Sequence, residues 1–212
     1  MDETAVRQWL RSELGVSRET LAKVDNFVAL LKDESRNQNL IAQSTMDVVW
    51  ERHIRDSAQL LTLAEPALRA GSWLDLGSGP GLPGLVLALL GGMDMTLVEV
   101  RKKRVEFLHM AIAKLRLGDR VSVEGRKLER VGSARYDVIT ARAFTALPRL
   151  FALAHRFSDS NTQWLLPKGR RAQEELEEAR RTWQGDFALV PSLTGDEAQI
   201  IVAHNVKPRR RS

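Results

Sequence analysis

The sequence predicts an α/β protein in which an N-terminal helical region precedes a mostly parallel, helix-covered sheet. Three observations carry this. Apolar residues over the first seventy positions recur at helical spacing. From Ser72 onward, short apolar runs alternate with amphipathic stretches. A glycine-rich turn joins the first of those runs to the helix after it. Strand and helix in alternation imply right-handed crossovers and therefore parallel neighbours. The 212 residues suit one domain with a small appendage, divided as a helical region at 1–70, an α/β domain at 71–206 and a basic tail at 207–212.

Val6 and Leu10 mark the first helix. Leu21, Val24, Phe27, Val28 and Leu31 form the buried stripe of a second, for which Ser17 is the expected N-cap. Ser44 with Asp47 resembles a capping box opening a third helix through Met46, Val49, Trp50, Ile54 and Leu61, stopped by Glu65-Pro66 and Gly71. Strands are expected at Trp73–Leu76, Thr96–Glu99, Val121–Val123, Val138–Thr140 and Trp164–Leu166. Helices are expected between them, near 82–90, 101–117 and 146–157, with another near 170–184 after the last. Phe187–Val190 and Ile200–Val202 suggest a terminal hairpin, and the five Trp are expected mostly in the core.

Composition removes several classes of function. With no cysteine there is no disulfide scaffold, thiolate nucleophile or Cys-ligated metal. The four His, at 53, 109, 155 and 204, show no HxH or HExxH spacing, so no metal centre is expected. No run approaches the roughly 20 apolar residues of a membrane span, and the acidic start Met1-Asp2-Glu3 lacks the features of a signal peptide. A cytoplasmic protein is expected. The formal net charge of +5 is uneven: residues 1–70 hold 9 basic and 11 acidic side chains, and residues 71–212 hold 23 and 16. A basic second part suits a polyanionic partner.

The most informative stretch is Leu74-Asp75-Leu76-Gly77-Ser78-Gly79-Pro80-Gly81-Leu82-Pro83-Gly84. It follows a strand and opens a helix, where nucleotide cofactors bind. Gly79 to Gly84 is a literal GxGxxG, which alone is weak evidence for a dinucleotide. Asp75 just ahead of the glycines would repel a diphosphate and attract an ammonium group. S-adenosylmethionine carries an ammonium and a sulfonium but no phosphate, so it fits this charge better than NAD. Glu99 ends the next strand at the offset where an acidic residue accepts ribose hydroxyls.

These residues, with Asn39-Leu40, Arg52-His53-Ile54-x-Asp56-Ser57, Lys103-Arg104-Val105-x-Phe107-Leu108, Arg142-Ala143-Phe144 and Lys168-Gly169, run in order along the chain. The set resembles the small-subunit rRNA guanine-N7 methyltransferases of the RsmG (GidB) type. The resemblance implies a Rossmann-like class I methyltransferase fold that binds S-adenosylmethionine and releases S-adenosylhomocysteine. It implies a partner in 16S rRNA or an assembling small ribosomal subunit; separately, a monomer is expected. The candidate cofactor loop is Asp75, Gly77, Ser78, Gly79 and Leu82, with Gly77 and Leu82 at the methionine end. Glu99 would hold the ribose, and Lys127 and Leu128 would lie beside the adenine. Arg142 would touch both cofactor and acceptor base. Glu99 stands where the family commonly has Asp, and Lys127-Leu128 where an acidic residue is often found.

Guanine N7 carries a free lone pair, so methyl transfer to it needs alignment and no dedicated base. Arg142 is the candidate catalytic residue, donating to guanine O6, with a structural salt bridge as the alternative. Arg52, His53 and Asp56 share one helical face and either contact RNA or tie the helical region to the sheet. Arg101, Lys102, Lys103 and Arg104 crowd a helix's first turn, where cations oppose the macrodipole by about 0.3–1 kcal/mol each. Phosphate contact would explain that placement. Lys168 and Arg170 are further RNA candidates. Three rival readings remain: a small-molecule methyltransferase, a non-catalytic RNA-binding module and, more distantly, an NAD oxidoreductase.

Overall fold

A computed structural model describes residues 1–209; Arg210, Arg211 and Ser212, in the expected tail, lie outside the described residues. The order is α1 (Glu3–Leu14), α2 (Arg18–Glu34), short turns leading to α3 (Asp56–Ala58) and α4 (Leu60–Leu63), β1 (Ser72–Leu76), α5 (Gly84–Leu90) and β2 (Asp94–Val98). It continues with α6 (Lys102–Leu115), β3 (Val121–Glu124), β4 (Val138–Ala141), α7 (Leu147–Ala154), β5 (Gln163–Lys168), α8 (Ala172–Arg180), β6 (Trp183–Pro191) and β7 (Gln199–Pro208). β7 runs through Lys207 and Pro208, so the first two residues expected in the tail pair with β6.

The seven strands lie in the order β3-β2-β1-β4-β5-β7-β6. β1 to β5 pair in parallel, and the terminal hairpin adds β7 antiparallel to β5. The strand order reverses between β1 and β4, which opens a crevice at their C-terminal ends. Alternate residues of β1 feed opposite faces. Trp73 packs with α1, α2, α5 and α6, whereas Leu74 and Leu76 pack with Phe151, Phe157 and Trp164 on the other side. Four of the five Trp are buried.

Ser17 caps α2 as expected, its hydroxyl accepting from the Thr20 N–H at 3.1 Å. The capping box at Ser44 does not form. Gln43–Thr45 is a 3-10 turn with no side-chain cap, and Thr45 uses its hydroxyl to bond the Ala42 carbonyl. The helix starts later, with a π-helical segment at Trp50–Arg55. Such i→i+5 turns are rare overall but frequent at functional sites.

Candidate functional site

Two cavities open at the C-terminal ends of the strands, separated by a short wall. The first, about 470 Å³, is lined by Gly77, Glu99, Arg101, Arg104, Lys127, Leu128 and Arg149 among others. The second, about 530 Å³, is lined by Thr45, Arg52, His53, Asp56, Arg142, Lys168, Glu175 and Thr194 among others. Ala143, Phe144 and Thr145 border both. This segment links β4 to α7, and Ala143 adopts a φ of 52°, a left-handed conformation that L-residues rarely take.

The glycine loop is held by its own backbone. The N–H groups of Gly77 and Ser78 donate to the Val98 carbonyl, and those of Gly81 and Leu82 donate to the Ser78 carbonyl. The Gly79 N–H donates to Glu99 Oε2 at 3.0 Å, and the Gly84 N–H to Asp75 Oδ2 at 3.2 Å. Positive φ at Gly77 and Gly79, 68° and 56°, makes this folding-back possible. At Gly84 the need is for space: a Cβ there would lie 2.3 Å from Leu97 and 2.7 Å from Asp75. Every N–H between Gly77 and Gly84 is therefore taken by the protein, and none remains for a diphosphate. This removes the NAD reading more firmly than charge does.

Glu99 is 5% exposed and accepts three backbone N–H bonds. Its Oε1 takes the N–H groups of Val100 and Arg101 at 2.7 and 2.9 Å. Its Oε2 takes Gly79 and faces the Arg104 guanidinium at 3.8 Å. A carboxylate has about four lone-pair sites, so Oε2 retains capacity for a ribose hydroxyl. The cavity volume and this acceptor fit a nucleoside with an attached amino acid. Gly77, Glu99, Lys127 and Leu128 all line the cavity as expected.

Other expected cofactor residues lie behind the lining. Asp75 is fully buried and accepts from Thr140 at 2.9 Å as well as from Gly84. Burial holds its carboxyl above the usual carboxylate range, partly offset by the hydrogen bonds. It braces the loop and does not reach the cavity. Ser78 and Leu82 are likewise buried, the Ser78 hydroxyl donating to the Asp75 carbonyl at 3.0 Å. Arg142 lines only the second cavity.

The second cavity joins the two ends of the chain. Arg142 pairs with Asp56 at 2.9 Å, and Asp56 accepts from the Thr194 hydroxyl at 2.5 Å. Arg52 donates to the Thr194 carbonyl at 2.9 Å, and Arg55 to the Leu193 carbonyl at 2.8 Å. The shared face of Arg52, His53 and Asp56 thus ties the helical region to the β6–β7 loop while walling the cavity. His53 Nε2 lies 2.9 Å from the Thr45 hydroxyl. Because that hydroxyl donates to Ala42, Nε2 carries the proton. Burial and the nearby Arg142 lower the His53 pKa to about 4, so the ring is neutral at pH 7 and offers RNA no charge. Lys168 is also committed, donating to the Thr145 carbonyl at 3.1 Å and to Glu175 at 2.8 Å.

The four cations of α6 divide. Arg101 and Arg104, three positions apart and so on one helical face, line the first cavity. Lys102 lies outside it, 3.9 Å from Glu106, and Lys103 is exposed beside Gln38, which bonds its carbonyl. Arg170 lies exposed at the outer rim with Arg52. The sequence showed Phe144 only as part of the Arg142-Ala143-Phe144 motif, without a role of its own, and gave no sign of Thr194 or Glu175, which also line the second cavity. The i, i+3 spacing of Arg101 and Arg104 was the one available signal for their shared direction.

Among the described residues no cluster of His, Asp or Glu is arranged to hold a metal ion, and no helix is long and apolar enough to cross a membrane. The family model for rRNA small subunit methyltransferase G (GidB) matches residues 20–200. A ribosomal RNA small subunit methyltransferase G of Rhizorhabdus wittichii is 51% identical over 213 residues, covering 99% of this chain and 95% of that protein. One from Zymomonas mobilis is 49% identical, covering 96% and 94%. In fold, the chain is similar to a glycopeptide N-methyltransferase solved with S-adenosylmethionine, with a TM-score of 0.62 at 12% identity over 72% of this chain and 93% of that one. Matched along nearly its whole length by these relatives, the chain belongs to the rRNA small subunit methyltransferase G family.

Proposed function

We propose that this protein transfers a methyl group from S-adenosylmethionine to N7 of a guanine in 16S rRNA, as a cytoplasmic monomer acting on the RNA or on a small-subunit assembly particle. The observation that carries this reading is the pair of cavities, one built around Glu99 and the saturated glycine loop, the other around Arg142, meeting at Ala143–Thr145. The family match supports the RNA substrate.

On this reading Gly77, Glu99, Lys127 and Leu128 hold the cofactor, which supplies an electrophilic methyl on sulfonium. Arg142 donates to O6 of the guanine and so turns N7 toward the shared wall. Asp56 and Thr194 fix the guanidinium. No proton has to leave N7, which agrees with a cavity whose histidine is neutral and whose carboxylates are already paired. Rate enhancement then comes from alignment.

Incubation with labelled S-adenosylmethionine and unmodified small-subunit RNA, followed by nucleoside analysis, should yield 7-methylguanosine. Label appearing only in small metabolites, or in no product, would overturn the reading.

A further inference from the structure

We infer that Phe144 is a movable partition between the two cavities and supplies a stacking face for the acceptor guanine. The inference rests on the functional reading above. Phe144 has the largest side chain of the wall shared by both cavities, and it contributes the only carbocyclic aromatic ring among the described residues lining the second one. A flipped guanine must be held by its faces as well as its edge. Arg142 is committed to Asp56 and the His53 ring to the Thr45 hydroxyl, whereas the Phe144 ring has no polar tie and offers a π surface suited to a purine.

Where the ring now rests also matters. A Cβ placed on Gly77 would lie 2.6 Å from Phe144 Cδ2, so the ring covers the backbone of the cofactor loop. A ligand lying against Gly77 therefore competes with the ring for that space. The side chain is only half-buried and sits between two short-range anchors: the exposed Ala143 with its φ of 52°, and Thr145, whose carbonyl is held by Lys168. The ring also packs at the margin of the hydrophobic core, so turning away from Gly77 gives up part of that contact. The second cavity, which the ring also lines, is the space open to it. Cofactor binding at Gly77 would thus present the stacking face on the acceptor side, and no bond is made or broken by Phe144 itself.

The test compares Phe144→Ala, Phe144→Leu and Phe144→Tyr in the full chain, using small-subunit RNA and S-adenosylhomocysteine as probes. Calorimetry reads cofactor affinity, steady-state formation of 7-methylguanosine reads KM and kcat for RNA, and thermal unfolding confirms that each variant folds. Ala and Leu should raise KM for RNA about tenfold or more, the loss typical of a missing base-stacking ring. Their affinity for S-adenosylhomocysteine should stay equal or tighten. Tyr should behave like the unsubstituted protein, because its ring keeps the π face. An unchanged KM in the Ala variant, equal KM in Leu and Tyr, or a loss confined to cofactor affinity each overturns the inference. If the unsubstituted protein forms no 7-methylguanosine, the functional reading fails first and takes this inference with it.

Discussion

Arg142, at the end of β4, is held 2.9 Å from Asp56, 86 positions earlier in the chain. The contact aims a guanidinium into the second cavity and away from the first. Replacing Arg142 with Ala should lower kcat/KM for RNA about a hundredfold, the scale of losing a charged donor to the reacting base. The affinity for S-adenosylhomocysteine should change little. Asp56→Asn, which weakens the aim and keeps the guanidinium, should fall between the two. Parallel kinetics and calorimetry check this; a large loss of cofactor affinity in the Ala variant would place Arg142 at the cofactor after all.

Glu99 organises three backbone N–H groups as well as facing the cavity. Glu99→Ala should weaken S-adenosylmethionine binding at least about tenfold, since each lost charge-assisted bond is worth about 1.5–3 kcal/mol. Glu99→Gln should be nearly as damaging, because its NH₂ must face N–H donors on one side. Isothermal calorimetry on the three proteins gives the ranking directly.

Asp75 bears on stability. Asp75→Ala leaves the Thr140 hydroxyl and the Gly84 N–H buried without their acceptor, a cost of about 2–4 kcal/mol that a urea midpoint would show. Its native pKa is raised, so between the usual carboxylate value and that raised value the folded state binds more protons than the unfolded one. Stability from this group is therefore full at low pH and declines as pH rises through the window. Asp75→Asn should flatten that part of the profile.

His53 behaves in the opposite sense. With a native pKa of about 4 against an unfolded value of 6.5, the unfolded state binds the extra proton in between, so stability rises with pH across that window. NMR titration of the ring should give a midpoint near the lower figure. His53→Gln should leave the salt dependence of RNA binding unchanged, because no charge is removed at pH 7.

Arg170 is exposed at the rim of the second cavity, whereas Lys102 lies outside the first with Glu106 as its neighbour. Arg170→Ala should reduce the slope of log affinity against log salt by about one, and Lys102→Ala should leave it close to its original value. Filter binding across a salt series separates them.

The architecture was largely legible because it rests on periodicity. The Leu21–Leu31 stripe, the Ser17 cap and the alternation after Ser72 each report a local rule that the packing obeys. The Ser44 capping box did not form because Gln43–Thr45 closes as a 3-10 turn and the helix begins later with a wide turn; a cap motif read by spacing alone does not register such a shift. Glu99 was legible from its offset. Asp75 was identified as important, but not its bonds to Thr140 and Gly84, since a charge in a sequence says nothing of whether it faces a cavity or the loop behind it. Thr194 was silent, and Phe144 visible only inside a motif, for a different reason. Their significance lies in a wall shared by two cavities and in a contact spanning 138 positions, and neither spacing nor composition encodes such long-range closure.

The placement of Thr194 also sets an order of events during synthesis. All residues bordering the first cavity lie between positions 77 and 153, whereas the second needs Ser192, Thr194, Ala198 and Gln199 to close against Arg52 and Asp56. Every residue of the first cavity is therefore synthesised before the last two strands, and the second cavity is completed only by them. A chain ending before β6 would lack Ser192, Thr194, Ala198 and Gln199, and with them the partners that hold Arg52 and Asp56 from that side.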